Sequence, residues 1–205
     1  MVFYPIGSTK ACAVCANILM KKGIFIVDHP APEITHLLLD VPGFDAYGNL
    51  RGGGRIEDVL PMIPEKITVI GGKLTHSALG NYRCVDFLKD EIYLAQNAAI
   101  TADCAVKIIA PKMEFVFQDC KVLILGWGRI GKCLAQMLRS LGCQVTVAVR
   151  KEADKAMLSA LGYTAVNYSD VICTLPVYRI AFNTVPHKVL ECPVPASCIG
   201  VELAS

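Results

Sequence analysis

The sequence predicts an α/β protein in two lobes, each built around a mainly parallel sheet. Three observations lead there. Short β-rich runs alternate with helical stretches along the chain, the pattern of layered α/β folds. A length of 205 residues suits one or two domains. A long, mostly helical stretch from Asp90 to Lys112 separates two such alternating regions. The expected division is a substrate-side α/β domain over residues 1–95, then a linker helix and a second α/β domain over 96–205.

The elements of the first lobe follow in order. Val2 to Ile6 reads as a strand. Gly7-Ser8-Thr9 turns it into a helix running to Lys22, with Ser8 or Thr9 as N-cap and Gly23 as the stop. Ile24 to Val27 and His36 to Val41 read as strands, Pro42 to Gly54 as a glycine-rich loop, and Ile56 to Ile63 as a short helix. Ile67 to Ile70 is a strand ending at Gly71-Gly72, and Cys84 to Leu88 is the last strand of a flavodoxin-like unit. In the connector, Ala98, Ala99, Ala102, Ala105, Ile108 and Ile109 recur near helical spacing. Thr101 is a candidate cap for its second part, with Asp103 in the first turn beyond it.

Composition narrows the function. Hydrophobic residues make up 54% and charged residues 19%, which excludes a disordered chain. A net charge of +2 supplies no long-range field for nucleic acid or an anionic membrane. No apolar run reaches membrane-spanning length without a charge or turn signal. The Met1-to-Gly7 start has neither the basic residues nor the apolar core of a leader, so a cytoplasmic protein is expected. Ten cysteines, at 12, 15, 84, 104, 120, 133, 143, 173, 192 and 198, lie mostly singly in apolar stretches. They read as small core residues of a reducing compartment. Cys12-Ala-Val-Cys15 is the one suggestive pair. It lacks the second pair or the histidines of a metal site, so two thiols on one helical turn is the plainer reading and a redox or metal switch the alternative. No metal is expected.

The chemistry sits at 121–150, KVLILGWGRIGKCLAQMLRSLGCQVTVAVR. Val122 to Leu125 is a buried-strand run. It is followed at once by Gly126-Trp127-Gly128-Arg129-Ile130-Gly131 and by an amphipathic helix with Leu134, Met137, Leu138 and Leu141 on one side. Gly142 stops that helix, and Gln144 to Val149 is the next strand. The unit spans roughly 30 residues, the length of a βαβ motif. GxGxxG in that setting is the dinucleotide fingerprint of a Rossmann-type doubly wound sheet. Gly126 permits the tight turn, Gly128 leaves room for a pyrophosphate, and Gly131 lets helix and strand pack closely, with the helix N-terminus facing the phosphates. The second strand ends in Arg150-Lys151 where NAD enzymes place an acid on the ribose. A guanidinium suits a 2′-phosphate, so NADP is the favoured cofactor and NAD remains possible. Asn183-Thr184-Val185-Pro186 follows a further strand. Strand carboxyl ends line the ligand crevice of such sheets, so these residues are expected on the cofactor's ribose or nicotinamide side. His187, just beyond, is the best-placed histidine for proton transfer. Ile199 to Leu203 reads as the next strand.

Leu123 to Gly131, Val149-Arg150-Lys151, Phe182 to Pro186, Glu202 to Ser205 and Tyr93 to Ala102 together resemble the A-subunit family of dipicolinate synthase, over about residues 84 to 205 and more loosely before. More distantly, the two-lobed plan is similar to D-2-hydroxyacid dehydrogenases and adenosylhomocysteinase. The resemblance implies a role in endospore formation and hydride transfer from a cyclic hydroxy-tetrahydrodipicolinate-type dicarboxylate to NAD(P)+. It also implies a flavoprotein-like partner, the second subunit of that synthase. Through the same resemblance Asn97 and Thr101 become candidates for substrate or nicotinamide contact, beside their plainer readings as turn and cap. Lys73, after Gly71-Gly72, becomes a candidate partner for a substrate carboxylate, beside its reading as an exposed lysine. Gly7-Ser8-Thr9 offers an anion site or a plain cap. Family chains run on past the position of Ser205, so the second lobe is expected to be incomplete at its C-terminus, with open edges that favour a homo-oligomer. The alternative function is a truncated, non-catalytic dinucleotide-binding or subunit-interaction module.

Overall fold

In a computed structural model, the structure describes residues 1–187, 189 and 193–203, and the backbone alone for 172–174. The side chain of Cys173, Cys192 and the terminal Ala204-Ser205 lie outside the described residues. The chain forms two compact units, Met1–Leu94 and Ala95–Ser205.

The first unit holds strands β1 (Val2–Ile6), β2 (Phe25–Ile26), β3 (His36–Leu39), β4 (Thr68–Gly71) and β5 (Arg83–Asp86), all parallel, in the order β2-β1-β3-β4-β5. This is the flavodoxin order. Helix α1 (Lys10–Lys21) joins β1 to β2. Thr9 caps it by accepting the Cys12 N–H at 3.2 Å, and Gly23, at φ +79°, follows its end. β3 is apolar on both faces, as a covered parallel strand must be: Leu37 and Leu39 join one core with Ile56 and Val69, while Leu38 joins another with Phe3 and Cys12. Two elements have half the length the sequence suggests. β2 pairs with β1 at only two positions, as an edge strand. The helix expected over 56–63 is a single α-turn, α2 (Ile56–Val59), passing into a 3-10 turn at Leu60–Met62, because Pro61 has no N–H to continue the ladder.

Helix α3 (Glu91–Ile109) runs uninterrupted. Asp90 starts it, its Oδ1 accepting the N–H groups of Ile92 and Tyr93 at 2.9 and 3.1 Å. This corrects the expected second cap. Thr101 lies mid-helix and donates its hydroxyl back to the Asn97 carbonyl at 2.7 Å, and Asn97 is helical rather than a turn. Ala98, Ala102, Ala105 and Ile109 form the buried stripe, whereas Ile108 is exposed.

The second unit holds β6 (Lys121–Leu125), β7 (Gln144–Ala148), β8 (Thr164–Val166), β9 (Ile180–Asn183) and β10 (Ile199–Glu202), all parallel, in the order β10-β9-β6-β7-β8. Helix α4 (Arg129–Ser140) follows β6. Its Leu134 and Leu138 pack with Val122, Ile124, Val147 and Phe182 on one face of the sheet. Met137 packs against the edge of that core, and Leu141 falls beyond the helix, largely exposed. Leu123, Leu125, Ala148 and Val171 fill the opposite face. Residues 151–180 add three elements that the sequence analysis leaves unassigned: α5 (Glu152–Ala160), β8 and α6 (Tyr168–Thr174). The signals were present. Glu152 and Asp154 sit in the first turn of α5, Gly162 at φ +75° follows its end, and Asn167 with Asp170 makes a capping box on α6.

Candidate dinucleotide-binding site

The order of the second sheet places its switch point between β6 and β9, whose carboxyl ends bear Gly126 and Thr184. Gly126 has φ +103°, and its N–H donates to the Ala148 carbonyl at 3.0 Å. A Cβ there would meet the Thr184 hydroxyl and a Val185 methyl, both at 2.8 Å. Thr184 in turn donates through both its N–H and its hydroxyl to the Leu125 carbonyl, at 3.0 and 2.8 Å. Thr184 and Val185 therefore act as the floor of the glycine loop, a role their position alone did not disclose.

Gly128 is the N-cap of α4, in extended conformation. No side chain caps the helix, and a Cβ on Gly128 would find no atom within 4 Å. A Cβ on Gly131 would run into the Gly126 carbonyl oxygen. The three glycines thus perform three separate tasks: a turn closed to L-residues, an open approach, and a close helix contact. The first-turn N–H groups of α4 and the positive end of its dipole face the open approach, the arrangement that binds a pyrophosphate. The residues present fit a dinucleotide: the backbone of 126–131 would hold the phosphates. Trp127 is spent differently. Its half-buried ring meets Tyr163 edge-on at 5.8 Å and lies 5.8 Å from the Lys132 ammonium, bracing the loop. Arg129 is exposed, and Ile130 packs against the core.

Arg150 and Lys151 lie exposed directly after β7, and Lys151 is the N-cap of α5. The first acid, Glu152, pairs with Lys155 at 2.7 Å. Tyr168 belongs to the same neighbourhood. Burial pushes its phenol up, the Arg150 charge opposes that rise, and Asp154 adds to it.

Asn183 ends β9 already engaged. Its amide donates to both Glu202 oxygens at 3.0 and 2.9 Å and to the His187 carbonyl at 3.4 Å, and its Oδ1 accepts the Val185 N–H at 3.2 Å. It ties β9 to β10 and shapes the turn that carries Pro186 and His187, both exposed. Glu202 is thus a site-shaping residue that sequence reasoning missed. The structure gathers 126–131, 150–151 and 183–186 at the carboxyl ends of β6, β7 and β9. Asn97 and Thr101 lie on α3, not on these strand ends.

The first unit's equivalent loop is filled from within. Asp40, 2% exposed, accepts the Ser8 N–H at 2.9 Å and the Thr9 hydroxyl. Gly7-Ser8-Thr9 is therefore a capped turn closed by its own carboxylate, which corrects the anion-site reading. Cys12, beside it, has its thiol pushed up to about 11, first by burial, then by Asp40 and Cys15. That leaves it a poor thiolate near neutrality.

Residues 109–179 match the NAD-binding domain of the D-isomer specific 2-hydroxyacid dehydrogenases. With the glycine loop above, this match makes the second unit similar to the dinucleotide-binding domains of dehydrogenases. No curated protein matches the chain in sequence. Among solved structures it is similar to the A-subunit of dipicolinate synthase from Bacillus halodurans, with a TM-score of 0.69 at 19% identity, covering 92% of this chain and 75% of that one. It is similar to the corresponding dipicolinate synthase chain from Bacillus subtilis, with a TM-score of 0.69 at 17% identity, covering 96% and 76%. The pyruvate reductase of Chlamydomonas reinhardtii gives 0.53 at 14%, covering 91% and 61%. At these identities the likeness is one of fold. It extends through both units, further than the motif resemblance reached. Among the described residues no helix is long and apolar enough to cross a membrane.

Proposed function

We propose that the chain binds NADP(H) in preference to NAD(H) and serves as an oxidoreductase that passes a hydride between this cofactor and a small substrate. The carrying observation is the uncapped start of α4 with open space at Gly128, flanked by Arg150 after β7. When bound, the nicotinamide supplies the hydride chemistry. The chain's own part is to hold the phosphates on the backbone of 126–131 and the 2′-phosphate on Arg150. Calorimetric titration of the 205-residue chain with NADPH and NADH tests this. NADPH is expected to bind more tightly. Gly128→Val is expected to weaken it about 100-fold, or about 2.7 kcal/mol, with only a small fall in melting temperature, since the added side chain enters open space and the change of N-cap costs about 1 kcal/mol or less. Equal affinity in variant and parent overturns the proposal.

The fold likeness to the two dipicolinate synthase chains supports the finer reading. On that reading a cyclic hydroxy-tetrahydrodipicolinate-type dicarboxylate gives its hydride to NADP+ and its proton to solvent, with a flavoprotein-like second subunit of the synthase as partner. Dinucleotide reduction on adding that substrate, with and without the partner, tests it. A second reading, cofactor binding without turnover, draws on Asn183, whose amide is already committed to Glu202 and Val185, and on the exposure of His187. Substrate-dependent reduction by the pure chain eliminates it.

A further inference from the structure

A recess of about 440 Å³ lies at the end of the second unit's sheet opposite the glycine loop. It crosses the amino ends of β6, β7 and β8, whose first residues Lys121, Gln144 and Thr164 line it together with Arg139, Thr146 and Tyr178. The volume suits a small metabolite. Dinucleotides occupy the carboxyl ends of such strands, so the recess is a separate place from the glycine loop.

Two of its lining residues are buried and carry hydroxyls with nothing to bond. Thr146 is 9% exposed and Tyr178 7% exposed. Among the described residues neither side chain makes a hydrogen bond. No fully enclosed side-chain oxygen or nitrogen among those residues lacks a partner, so both hydroxyls reach into the recess and not into the core. A hydroxyl taken this far from water costs stability unless something bonds it. Two of them facing one cavity mark a surface made for a ligand.

The charge of the lining has one sign. Lys121 and Arg139 line the recess, and no Asp or Glu does. Among the described residues neither cation pairs with a carboxylate. Asp119, the acid nearest to Lys121 in sequence, is exposed and outside the lining. Arg139 is fixed in place: its Nη1 donates to the Leu161 carbonyl at 2.7 Å, and its guanidinium lies 5.0 Å from the centre of the Tyr163 ring. That bond answers the negative end of α5, where Leu161 is the C-cap. The other N–H groups of the guanidinium and the Lys121 ammonium are left for an anion.

We propose that this recess binds a small phosphate monoester. Lys121 and Arg139 supply the counter-charge, and the Thr146 and Tyr178 hydroxyls donate to phosphate oxygens. Gln144 and Thr164 serve the hydroxyls of the ligand's remainder. A phosphate brings three strong acceptor oxygens and more than one negative charge, which matches two cations and two unpartnered donors better than a single carboxylate does. The site stands whether or not the glycine loop takes a dinucleotide.

The test is an NMR titration of the full chain with glycerol 3-phosphate at constant ionic strength, following the Gln144 and Thr164 amide signals. They are expected to shift saturably. Thr146→Val removes one hydroxyl and keeps the shape of the side chain. It is expected to weaken binding about fivefold, and Lys121→Gln about tenfold. Because the Thr146 hydroxyl bonds nothing in the free chain, Thr146→Val is also expected to melt no lower than the parent. The glycine loop is the other place a phosphate can sit, so the titration is repeated with Gly128→Val, where the same shifts are expected. Unmoved signals, Thr146→Val and Lys121→Gln chains that both titrate like the parent, or a Thr146→Val chain that melts clearly lower, overturn the site. Loss of the shifts in Gly128→Val assigns the phosphate to the glycine loop and overturns it equally. Malonate binding as tightly as glycerol 3-phosphate overturns the phosphate assignment. NADPH binding is read in a separate titration, so its failure leaves these outcomes unchanged.

Discussion

Each unit carries a strand, a short loop and a helix at its topological switch point, and the two loops end in opposite states. In the first, β1 leads through Gly7-Ser8-Thr9 into α1, and the neighbouring β3 ends in Asp40, whose carboxylate takes the Ser8 N–H and the Thr9 hydroxyl. In the second, β6 leads through Gly126-Trp127-Gly128 into α4, and the neighbouring β9 ends in Asn183-Thr184. Thr184 turns its hydroxyl back beneath the loop onto the Leu125 carbonyl. A side chain caps α1, and none caps α4. The same electrostatic end of a helix is therefore neutralised internally in one unit and left for a phosphate in the other. The difference rests on two positions per loop: the cap residue, Thr9 against Gly128, and the end of the adjacent strand, Asp40 against Thr184.

The comparison breaks most severely at Gly131. Gly131→Ala puts a Cβ against the Gly126 carbonyl, a backbone atom that cannot swing aside. An overpacking cost of about 1–3 kcal/mol is expected, read as a lower urea midpoint, together with loss of NADPH binding as α4 is pushed off the loop. Gly128→Ala, at the N-cap of the same helix, meets no atom and is expected to cost less, about 0.5 kcal/mol, the N-cap preference for glycine over alanine. Equal costs at the two glycines contradict the division of labour between them.

Asp40→Ala tests the other loop. It strips the Ser8 N–H and the Thr9 hydroxyl of their acceptor, and a loss of about 1–3 kcal/mol is expected. It also opens the start of α1. Added sulfate is then expected to raise the variant's melting temperature more than the parent's, since an anion can take the vacated place. An identical sulfate response in both chains contradicts the view that Asp40 fills an anion site.

Much of this architecture was legible in the sequence. The glycine loop announced itself because strand, GxGxxG and helix are local in sequence, and each glycine answers a local steric demand. Every strand run but β8 was legible, the central ones because parallel strands covered on two faces are continuously apolar, as Leu37-Leu38-Leu39 shows. What escaped notice is non-local. Asp40 meets Ser8 across 32 positions, Thr184 meets Leu125 across 59, and Glu202 meets Asn183 across 19. No periodicity encodes such pairings. The miscast Thr101 has the converse cause: a residue type that favours caps sits mid-helix by bonding back to the Asn97 carbonyl. Residues 151–180 carry a weak strand signal because β8 is only three residues long, although the caps around it are readable.

Arg150 sharpens the comparison from outside the loop, since it adds a cation that the helix dipole does not supply. Arg150→Gln is expected to weaken NADPH about tenfold, or about 1.4 kcal/mol, and to leave NADH nearly unchanged. Parallel calorimetric titrations check this. An equal loss for both cofactors reassigns Arg150 to general folding or to the pyrophosphate.

The smallest effect concerns Cys12, which lies behind the filled loop. Its thiol stands at about 11 in the folded chain against an ordinary 9.0, mainly through burial and secondarily through Asp40. As pH rises, the unfolded chain loses this proton first, so folding stability attributable to Cys12 is intact below about pH 9 and falls as pH climbs towards 11. Asp40→Asn keeps the shape of the plug and removes its charge, so the Cys12 pKa is expected to fall, though not to 9.0, because burial remains. The readout is the pH dependence of iodoacetamide labelling at Cys12, with exposed Cys104 as the internal reference. The midpoint for Cys12 should move to lower pH in the variant while that for Cys104 stays put. An unmoved Cys12 midpoint would mean that the Asp40 charge is spent entirely on Ser8 and Thr9, and that burial alone sets the thiol.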